Sequence, residues 1–416
     1  MAEAVRMERL LAGEDLAALE ATGHVELLVG IVASNHARSV VSVVEKVSRG
    51  LAKHFPSQKA VVLVADVGSR DGTLDAVRAW RESAPSLPRV QLAPLAGPPV
   101  EGRAIHAILS AARLLEARAC SLFDADLTGL APDWVERLLQ PVLRDEADYV
   151  SPAYTRTPAE GTLTTNLLAP MTRALYGKRI QQLLGGCLAL SQAAVRRFLE
   201  ADAWKSNLVV RGIRLWMSTA ALASDHCRLM EVPLGRKLVA PASQASDLAT
   251  TLSHVVGPLF NLMERYAPVW RDTHGSQPIP RVGEPPDLLG DMGEAHLDRM
   301  VRAFKLGLKD LLPVWEQIMT EETLAQCYPL ALLAADEFQF PPPLWARTIS
   351  DFALAYHERR LPRDHLLRAL TPLYLGRVAA FLREVQTAPP HRLPEMLEVI
   401  GRAFESEMKF LRTRWR

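Results

Sequence analysis

Three short, almost unbroken apolar runs constrain the fold of this 416-residue chain more than any other feature. They are VELLVGIV (residues 25–32), AVVLVADV (60–67) and ACSLF (119–123), and polar residues follow each of them. Such runs are typical of strands that are buried on both faces of a sheet. Segments with apolar residues three and four positions apart lie between them, over residues 38–55, 74–82 and 102–118. This alternation predicts an α/β domain with a parallel sheet.

The character of the chain changes after about residue 266, where strand-like runs largely disappear. A Pro- and Gly-rich stretch, THGSQPIPRVGEPPDLLG, follows at 273–290 and is typical of a linker. Helical periodicity dominates beyond it, over residues 294–312, 343–359, 364–386 and 393–412. We therefore expect four parts: an N-terminal helical extension (1–24), an α/β domain (25–272), a linker (273–290) and an all-helical C-terminal domain (291–416).

Composition and charge argue against several classes of protein. The 48 basic and 47 acidic side chains leave a formal net charge of +1, which gives no electrostatic reason to expect a nucleic-acid partner. The four cysteines lack the spacing of a zinc or iron–sulfur site, so we expect reduced thiols. The sequence shows no signal peptide and no uncharged run of about 18 apolar residues. We therefore expect a cytoplasmic protein without a membrane span; the oligomeric state is open, a homo-oligomer included.

The residues that end the apolar runs are the first place to look for chemistry, because ligands of open α/β sheets bind beyond the carboxyl ends of the strands. The second run continues into DVGSRDGT, in which Asp66 and Asp71 could accept hydrogen bonds from the base and ribose of a nucleotide. The same residues suit a plain strand-to-helix turn in which Asp71 or Thr73 caps the next helix. The two interpretations carry equal weight on the sequence.

The third run continues into Asp124-Ala125-Asp126. Two aspartates at positions i and i+2 after a buried strand can place their oxygens on one divalent cation, and that cation would offset the charge of a diphosphate. Because aspartate is common at strand ends, the order of the features carries more weight than this motif alone. An acidic turn after one strand is followed, roughly sixty residues later, by Asp-Ala-Asp after another.

In this order the motifs resemble the GT-A glycosyltransferases of the family-2-like superfamily, over residues 27 to about 272. Within it the chain is similar to the group of mannosylglycerate synthase and glucosyl-3-phosphoglycerate synthase. Besides Asp-Ala-Asp, the matching segments are VGIVASNHARSV, ADVGSRDGT, EGTLTTNLLAPMTRALYGKRI, QQLLGGCLALS and RGIRLWMSTAALAS. The C-terminal segment DEFQFPPPLWARTISDFALAY also resembles the helical domain of that group.

The resemblance implies a GT-A domain, which is a Rossmann-like nucleotide-diphospho-sugar transferase fold, followed by an all-α C-terminal domain. It implies a nucleotide-diphosphate sugar as donor, with Mg²⁺ or Mn²⁺ bound at Asp124 and Asp126. Carried over position by position, the donor-binding residues are Asp66, Asp124, Asp126, Gly185, Gly186 and Arg214. At the positions that hold the small-molecule acceptor, a small acid, in those synthases, this chain has Arg156 and Thr164, and a guanidinium suits the task because it pairs with a carboxylate in a bidentate fork. For either residue alone, surface placement or helix capping is the more common alternative. The resemblance assigns no catalytic base.

Several positions depart from the pattern of this family. Residues 234–241 (LGRKLVAP) contain no histidine, so the third metal ligand of the family is missing. Cys187 follows the glycine pair where the family has Asp or Glu, and a small buried apolar role suits it better. Arg214 stands where relatives have an aspartate, and the stretch Glu101-Gly102-Arg103 replaces the region of a family lysine.

Two interpretations of these departures stay open. In the first, Arg214, Arg236 or Lys237 is a fixed cation that stabilises the leaving diphosphate, and metal dependence is weak or absent. The chain then transfers a hexose from a nucleotide-diphosphate sugar to a small acceptor such as a glycerate-like hydroxy acid, with retention of configuration. In the second, Arg214 pairs with Asp124 or Asp126, and the chain is a catalytically degenerate glycosyltransferase fold that serves as a binding or scaffold module.

Overall fold

The computed structural model describes residues 13–84, 88–240, 247–284 and 296–416. Parts of the predicted N-terminal extension (1–12) and of the predicted linker (285–290) lie outside these residues. The described part of the extension contains helix α1 (Gly13–Glu20). None of the described helices combines the length and the apolar composition that crossing a membrane requires.

A seven-stranded mixed sheet is the main β structure. In chain order its strands are β1 (Leu27–Ala33), β2 (Ala60–Asp66), β3 (Arg89–Pro94), β4 (Ala119–Asp124), β5 (Tyr149–Thr155), β7 (Cys187–Ser191) and β8 (Leu229–Arg236). The short strands β6 (Lys178–Arg179) and β9 (Gln277–Pro278) pair separately. The order across the sheet is β3-β2-β1-β4-β7-β5-β8, and β7 runs antiparallel to both neighbours. The apolar runs are thus confirmed as the adjacent strands β1, β2 and β4.

Helices alternate with many of the strands and then replace them, which confirms the predicted fold class of an α/β domain with a helical C-terminal region. In chain order the helices after α1 are α2 (Val40–His54), α3 (Thr73–Ser83), α4 (Glu101–Leu114), α5 (Asp133–Leu143), α6 (Ala169–Tyr176), α7 (Gln192–Glu200), α8 (Ile213–Leu222), α9 (Leu248–Arg265), α10 (Ala267–Trp270), α11 (Leu297–Asp310), α12 (Leu312–Ile318), α13 (Glu321–Leu332), α14 (Pro342–His357), α15 (Arg363–Ala369), α16 (Thr371–Thr387) and α17 (Leu393–Arg414).

The chain divides into two compact units, each built from several chain segments. The first unit contains Met1–Thr155, Leu184–Ala245 and Ile279–Pro286, and it includes the whole seven-stranded sheet. The second contains Arg156–Leu183, Ser246–Pro278 and Asp287–Arg416. Two segments that the sequence predicts as part of the α/β domain, 156–183 and 246–272, therefore group with the C-terminal helices.

Strand β1 shows why the first apolar run is nearly continuous. All of its residues are buried, and each aliphatic side chain contributes about 1.5–3 kcal/mol by leaving water. Gly30 interrupts the large side chains because helix α4 packs directly against this position, where a Cβ would overlap the side chain of Ile108. The glycine therefore permits a close contact between the helix and the sheet.

A buried carboxylate ties strands β5, β7 and β8 together. Asp148, just before β5, accepts hydrogen bonds from Ser191 Oγ at 2.8 Å, from Arg228 Nε at 3.0 Å and from the Arg228 backbone N–H at 3.1 Å. Burial raises the pKa of Asp148, but the bonds from Arg228 and Ser191 outweigh it and lower the pKa to about 2. The carboxylate therefore stays ionised at neutral pH and holds the ends of these strands in place.

Buried polar side chains join the helices of the second unit. A π-helical turn (Thr164–Leu168) leads into α6, and Trp345 Nε1 of α14 donates to the backbone oxygen of Asn166 in this turn at 2.6 Å. Arg377 of α16 is fully buried; it donates to Asn166 Oδ1 at 3.2 Å and to the Phe340 backbone oxygen at 2.8 Å. These bonds satisfy Trp345 Nε1 and two of the three guanidinium nitrogens of Arg377, which would otherwise destabilise the fold when buried.

Candidate functional site

The carboxyl ends of β1, β2 and β4 lie side by side at one edge of the sheet. Ala33 is level with Asp66 in the register of β1 and β2, and Val32 is level with Asp124 in that of β1 and β4. Because the three strands are parallel, the loops that follow them leave at the same edge. The fold thus brings the two acidic motifs of the sequence to one place.

Asp66 is buried at the end of β2 and bonds to its own loop. Its Oδ1 accepts hydrogen bonds from the backbone N–H groups of Gly68 at 2.9 Å and Ser69 at 2.8 Å, and its Oδ2 accepts one from the Ser69 hydroxyl. Gly68 has a φ of +80°, a conformation that favours glycine. Asp66 therefore shapes the loop. A carboxylate has about four lone-pair sites, so these three bonds leave room for a bond from a nucleotide. The role of Asp66 in binding the nucleotide-sugar donor stays a prediction.

Hydrogen bonds also join the loop after β2 to the loop after β1. Asn35 Oδ1 accepts from the Arg70 N–H at 2.9 Å, and Asp71 accepts from the Ala37 N–H at 2.9 Å and the Thr73 N–H at 3.1 Å. Burial raises the pKa of Asp71, but the bonds from Thr73 and Ala37 outweigh it and lower the pKa. Asp71 therefore stabilises the turn, but the predicted cap at Asp71 or Thr73 is wrong: Gly72 is the N-cap of α3 and no side chain caps the helix.

The Asp-Ala-Asp turn meets the glycine pair, although the two are far apart in the sequence. The Asp124 N–H donates to the Gly186 backbone oxygen at 2.8 Å. Gly186 has a φ of +78°, and a Cβ there would lie 3.0 Å from Asp124 Oδ2 and 3.4 Å from Lys237 Nζ. A Cβ on Gly185 would press against the ring of Pro152. Gly186 therefore lets the backbone pass directly beside the acidic turn, and Gly185 lets it pass beside β5.

Cys187 follows this pair as a buried thiol at the start of β7. Tyr154 Oη lies 3.1 Å from its sulfur and donates to the Gly185 backbone oxygen at 2.7 Å. Burial raises the pKa of the Cys187 thiol to about 12, so that the group stays neutral at physiological pH. It fills a small buried position, as the sequence predicts, and does not replace the family's carboxylate.

Arg214 forms two ion pairs that join three elements of the first unit. From helix α8, its Nε donates to Glu101 Oε1 at the start of α4, and its Nη2 donates to Asp124 Oδ1 at the end of β4. Only 9% of the Arg214 side chain is exposed, compared with 28% for Asp124 and 44% for Glu101. We call these three residues the arginine bridge. Its guanidinium lies directly on the first aspartate of the Asp-Ala-Asp turn.

The charges around Asp124 partly compensate one another. Burial raises the pKa of Asp124; Arg214 and Lys237 oppose this rise, while the carboxylates of Glu101 and Asp126 add to it. Burial on its own would lower the pKa of Arg214, but Asp124 and Glu101 outweigh it and raise the pKa. Arg214 is therefore charged throughout the pH range of a folded protein. The immediate surroundings of Asp124 thus contain three acids, counting Asp124 itself, and two bases.

The segment after β8 runs along the Asp-Ala-Asp turn. The Ala240 N–H donates to the Asp126 backbone oxygen at 2.8 Å, and the Gly129 N–H donates to the Leu238 backbone oxygen at 3.0 Å. This is the segment in which the family has its metal-binding histidine. Here Lys237 lies beside the glycine pair that adjoins the turn: its Nζ is 3.4 Å from the Leu184 backbone oxygen, and its positive charge acts on Asp124.

The arginine bridge does not fit a divalent cation held between Asp124 and Asp126. Mg²⁺ and Mn²⁺ prefer oxygen ligands such as carboxylates, but Asp124 Oδ1 accepts from Arg214, and Lys237 adds a second positive charge nearby. Within the described residues, no three His, Cys, Asp or Glu side chains are grouped so that they could hold a metal ion. The assignment of Asp124 and Asp126 as metal ligands stays a prediction.

The predicted site residues are divided between the two units. The six predicted donor residues all lie in the first unit, whereas Arg156 and Thr164 lie in the second. Arg156 donates from Nη2 to Gln182 Oε1, and its guanidinium lies over Gly161, where a Cβ would overlap it. Thr164 begins the π-helical turn. The acceptor roles of Arg156 and Thr164 stay predictions.

Glu101 is the member of this cluster that the sequence did not reveal. Its partner Arg214 lies 113 positions further along the chain. The signal was present as a pair of charge reversals, since an acid stands in the region of a family lysine and an arginine stands in place of a family aspartate. Two opposite reversals are expected when the residues contact each other, but only the structure shows that they do.

The parallel strands β1, β2 and β4, the acidic turns that follow β2 and β4, and the adjoining glycine pair form a GT-A fold. Residues 29–203 match the model of glycosyl transferase family 2. The match spans less than half of the chain, and for that segment it confirms the resemblance carried by the motifs.

Solved structures similar to this chain include two of glucosyl-3-phosphoglycerate synthase from Mycobacterium tuberculosis. The complex with Mn²⁺, UDP and glucosyl-3-phosphoglycerate has 20% identity, covers 60% of this chain and 84% of that chain, and has a TM-score of 0.41. The complex with Mn²⁺, UDP-glucose and phosphoglyceric acid has 20% identity, covers 65% of this chain and 93% of that chain, and has a TM-score of 0.41. A mycobacterial protein has 22% identity, covers 60% of this chain and 78% of that chain, and has a TM-score of 0.41. No curated protein matches the sequence.

Proposed function

We propose that this chain is a hexosyltransferase that uses a nucleotide-diphosphate sugar as donor and a small glycerate-like hydroxy acid as acceptor. The observation that carries the proposal is the hydrogen bond of 2.8 Å from the Asp124 N–H to the Gly186 backbone oxygen. It supports the proposal because it joins the Asp-Ala-Asp turn to the glycine pair, in a chain whose residues 29–203 match glycosyl transferase family 2.

In this proposal the donor binds at the carboxyl edge of β1, β2 and β4. The loop ordered by Asp66 contacts the nucleoside, and Asp126, Gly185 and Gly186 contact the diphosphate and the sugar. During transfer the bond from the anomeric carbon to the diphosphate oxygen breaks and a bond to the acceptor hydroxyl oxygen forms. The hydroxyl proton is released, and the nucleoside diphosphate leaves with the bonding electrons. The configuration at the anomeric carbon is retained.

The acceptor half of the proposal concerns Arg156 and Thr164. A bidentate guanidinium–carboxylate pair is worth about 1.5–3 kcal/mol, so Arg156→Ala should raise the KM for the acceptor about 10- to 100-fold and leave the donor KM unchanged. Arg302→Ala, on the exposed face of α11 in the same unit, is the matched control and should change neither constant. Equal effects on the two KM values would argue against an acceptor role for Arg156.

The activity is tested with a panel of UDP-, GDP- and ADP-linked glucose and mannose. Each donor is incubated with the purified chain and with glycerate, 3-phosphoglycerate or lactate, once with Mn²⁺ or Mg²⁺ and once with EDTA. We expect one donor to release its nucleoside diphosphate in an acceptor-dependent way and to give a product whose anomeric proton, seen by NMR, keeps the donor configuration. Absence of hydrolysis and of transfer with every pair would refute the proposal.

A second candidate function is a binding or scaffold module on a degenerate glycosyltransferase fold. The arginine bridge favours it, because Arg214 already pairs with the Asp124 carboxylate that the resemblance assigns to donor binding. Thermal unfolding separates the two functions, since a nucleotide at 100 times its Kd stabilises the folded state by about 2.7 kcal/mol. A rise in Tm with UDP, GDP or ADP supports donor binding. An unchanged Tm with all three, with and without Mn²⁺, supports the scaffold.

A further inference from the structure

The arginine bridge is built to hold one positive charge at a fixed place. Its three residues come from the start of α4, the end of β4 and the start of α8, so that secondary structure sets the position of each side chain. Helix α8 begins after Gly212, which has a φ of +94° and sharply turns the chain before Arg214. A guanidinium that is only 9% exposed needs compensating charge, and the two carboxylates supply it.

The guanidinium lies on Asp124, which is one of the two residues at which the resemblance implies a divalent cation. A cation held by Asp124 and Asp126 would need an oxygen of Asp124, and Arg214 Nη2 already donates to Oδ1 of that carboxylate. The two cannot bind that oxygen together, since like charges at contact distance repel strongly in a partly buried site. The guanidinium also has five N–H donors, so it can keep both carboxylates and still donate to a phosphate oxygen.

We infer that Arg214, positioned by Glu101, is the resident cation of this site and takes the electrostatic place of the divalent metal, which the wild-type chain excludes. Only the further step, that this cation faces the diphosphate of a donor, rests on the proposed function. The exclusion of metal depends on the chain alone. It can therefore be measured without any nucleotide, sugar or acceptor.

The experiment titrates the full chain with Mn²⁺ and follows free Mn²⁺ by electron paramagnetic resonance. Wild type should retain no Mn²⁺ that Asp126→Asn removes. Arg214→Gln removes the positive charge from the Asp124 carboxylate beside Asp126, so the variant should bind Mn²⁺ at least about tenfold more tightly than wild type. Arg214→Lys keeps the positive charge and should continue to exclude the ion. Circular dichroism establishes that each variant is folded.

Two results would overturn the inference. One is a wild-type Mn²⁺ site that Asp126→Asn abolishes. The other is a folded Arg214→Gln chain that binds Mn²⁺ no better than wild type. If the variant does not fold, the wild-type titration and its Asp126→Asn control still decide. Failure of every nucleotide to bind would remove the proposed function but leave these metal results unchanged, so the two failures are distinguishable.

Discussion

The arginine bridge can be tested as a buried ion pair by removing its guanidinium while keeping most of the volume of the Arg214 side chain. Arg214→Met retains the unbranched stem of the side chain, which is buried at the start of α8, and deletes both contacts with carboxylates. The variant leaves Asp124 and Glu101 without a partner, and unpaired carboxylates near a core destabilise the folded state.

The magnitude follows from the exposure of the three side chains. Breaking a fully buried ion pair costs about 3–5 kcal/mol. Asp124 is 28% exposed and Glu101 44% exposed, so water partly solvates the carboxylates that are left behind. We therefore expect Arg214→Met to lower the free energy of unfolding by about 2–3 kcal/mol. The double variant with Asp124→Asn should show a favourable coupling energy of about 1–2 kcal/mol between the two positions.

Urea unfolding followed by tryptophan fluorescence measures these differences, because buried Trp216 lies two residues beyond Arg214 in α8. Arg211→Met is the matched control: Arg211 is exposed just before the same helix, and its loss should change stability by less than about 0.5 kcal/mol. An Arg214→Met protein as stable as wild type, or a coupling energy of zero with Asp124→Asn, would refute the reasoning.

Three further predictions concern the first unit. The pKa of Asp148 is lowered to about 2 from an unfolded value near 3.8, so its ionised form stabilises the folded state by about 2 kcal/mol. This stabilisation should be complete above about pH 4 and disappear between about pH 4 and 2. A plot of Tm against pH should show the loss for wild type and not for Asp148→Asn. Gly186→Ala should lower the free energy of unfolding in urea by about 2 kcal/mol, and Gly72→Ala by ~1 kcal/mol. Both glycines have a positive φ, but only Gly186 has Asp124 beside it, so equal losses would contradict the contact. Gly30→Ala should destabilise by about 1–3 kcal/mol, and adding Ile108→Ala should cost less than the sum of the two single changes; strict additivity would rule out the clash.

The sequence predicted the strands that are buried on both faces. Strands β1, β2 and β4 lie next to one another inside the sheet, so nearly every side chain is apolar and the pattern is visible locally. Strand β7 has only five residues and pairs antiparallel with β4 and β5, which come from distant parts of the chain. Its place in the sheet depends on those partners, and no local pattern specifies it.

The candidate site was likewise predictable only in part. Asp66 and Asp124 could be chosen because each ends a strand, and the glycine pair because it precedes one, in the order typical of one fold class. The contact between Asp124 and Gly186 could not, since it forms when β7 pairs with β4. The grouping of residues 156–183 with the C-terminal helices also depends on contacts between distant segments.

The sequence by itself determined the fold class, the edge of the sheet where chemistry is expected and the presence of an arginine in an otherwise acidic site. It left open whether that arginine acts as a free cation or pairs with the aspartates. Only the tertiary structure showed that Arg214 contacts Asp124 and that Glu101 holds its other side. The physical reason is that strand patterns reflect local burial, whereas an ion pair between α4, β4 and α8 exists only once these three elements are packed.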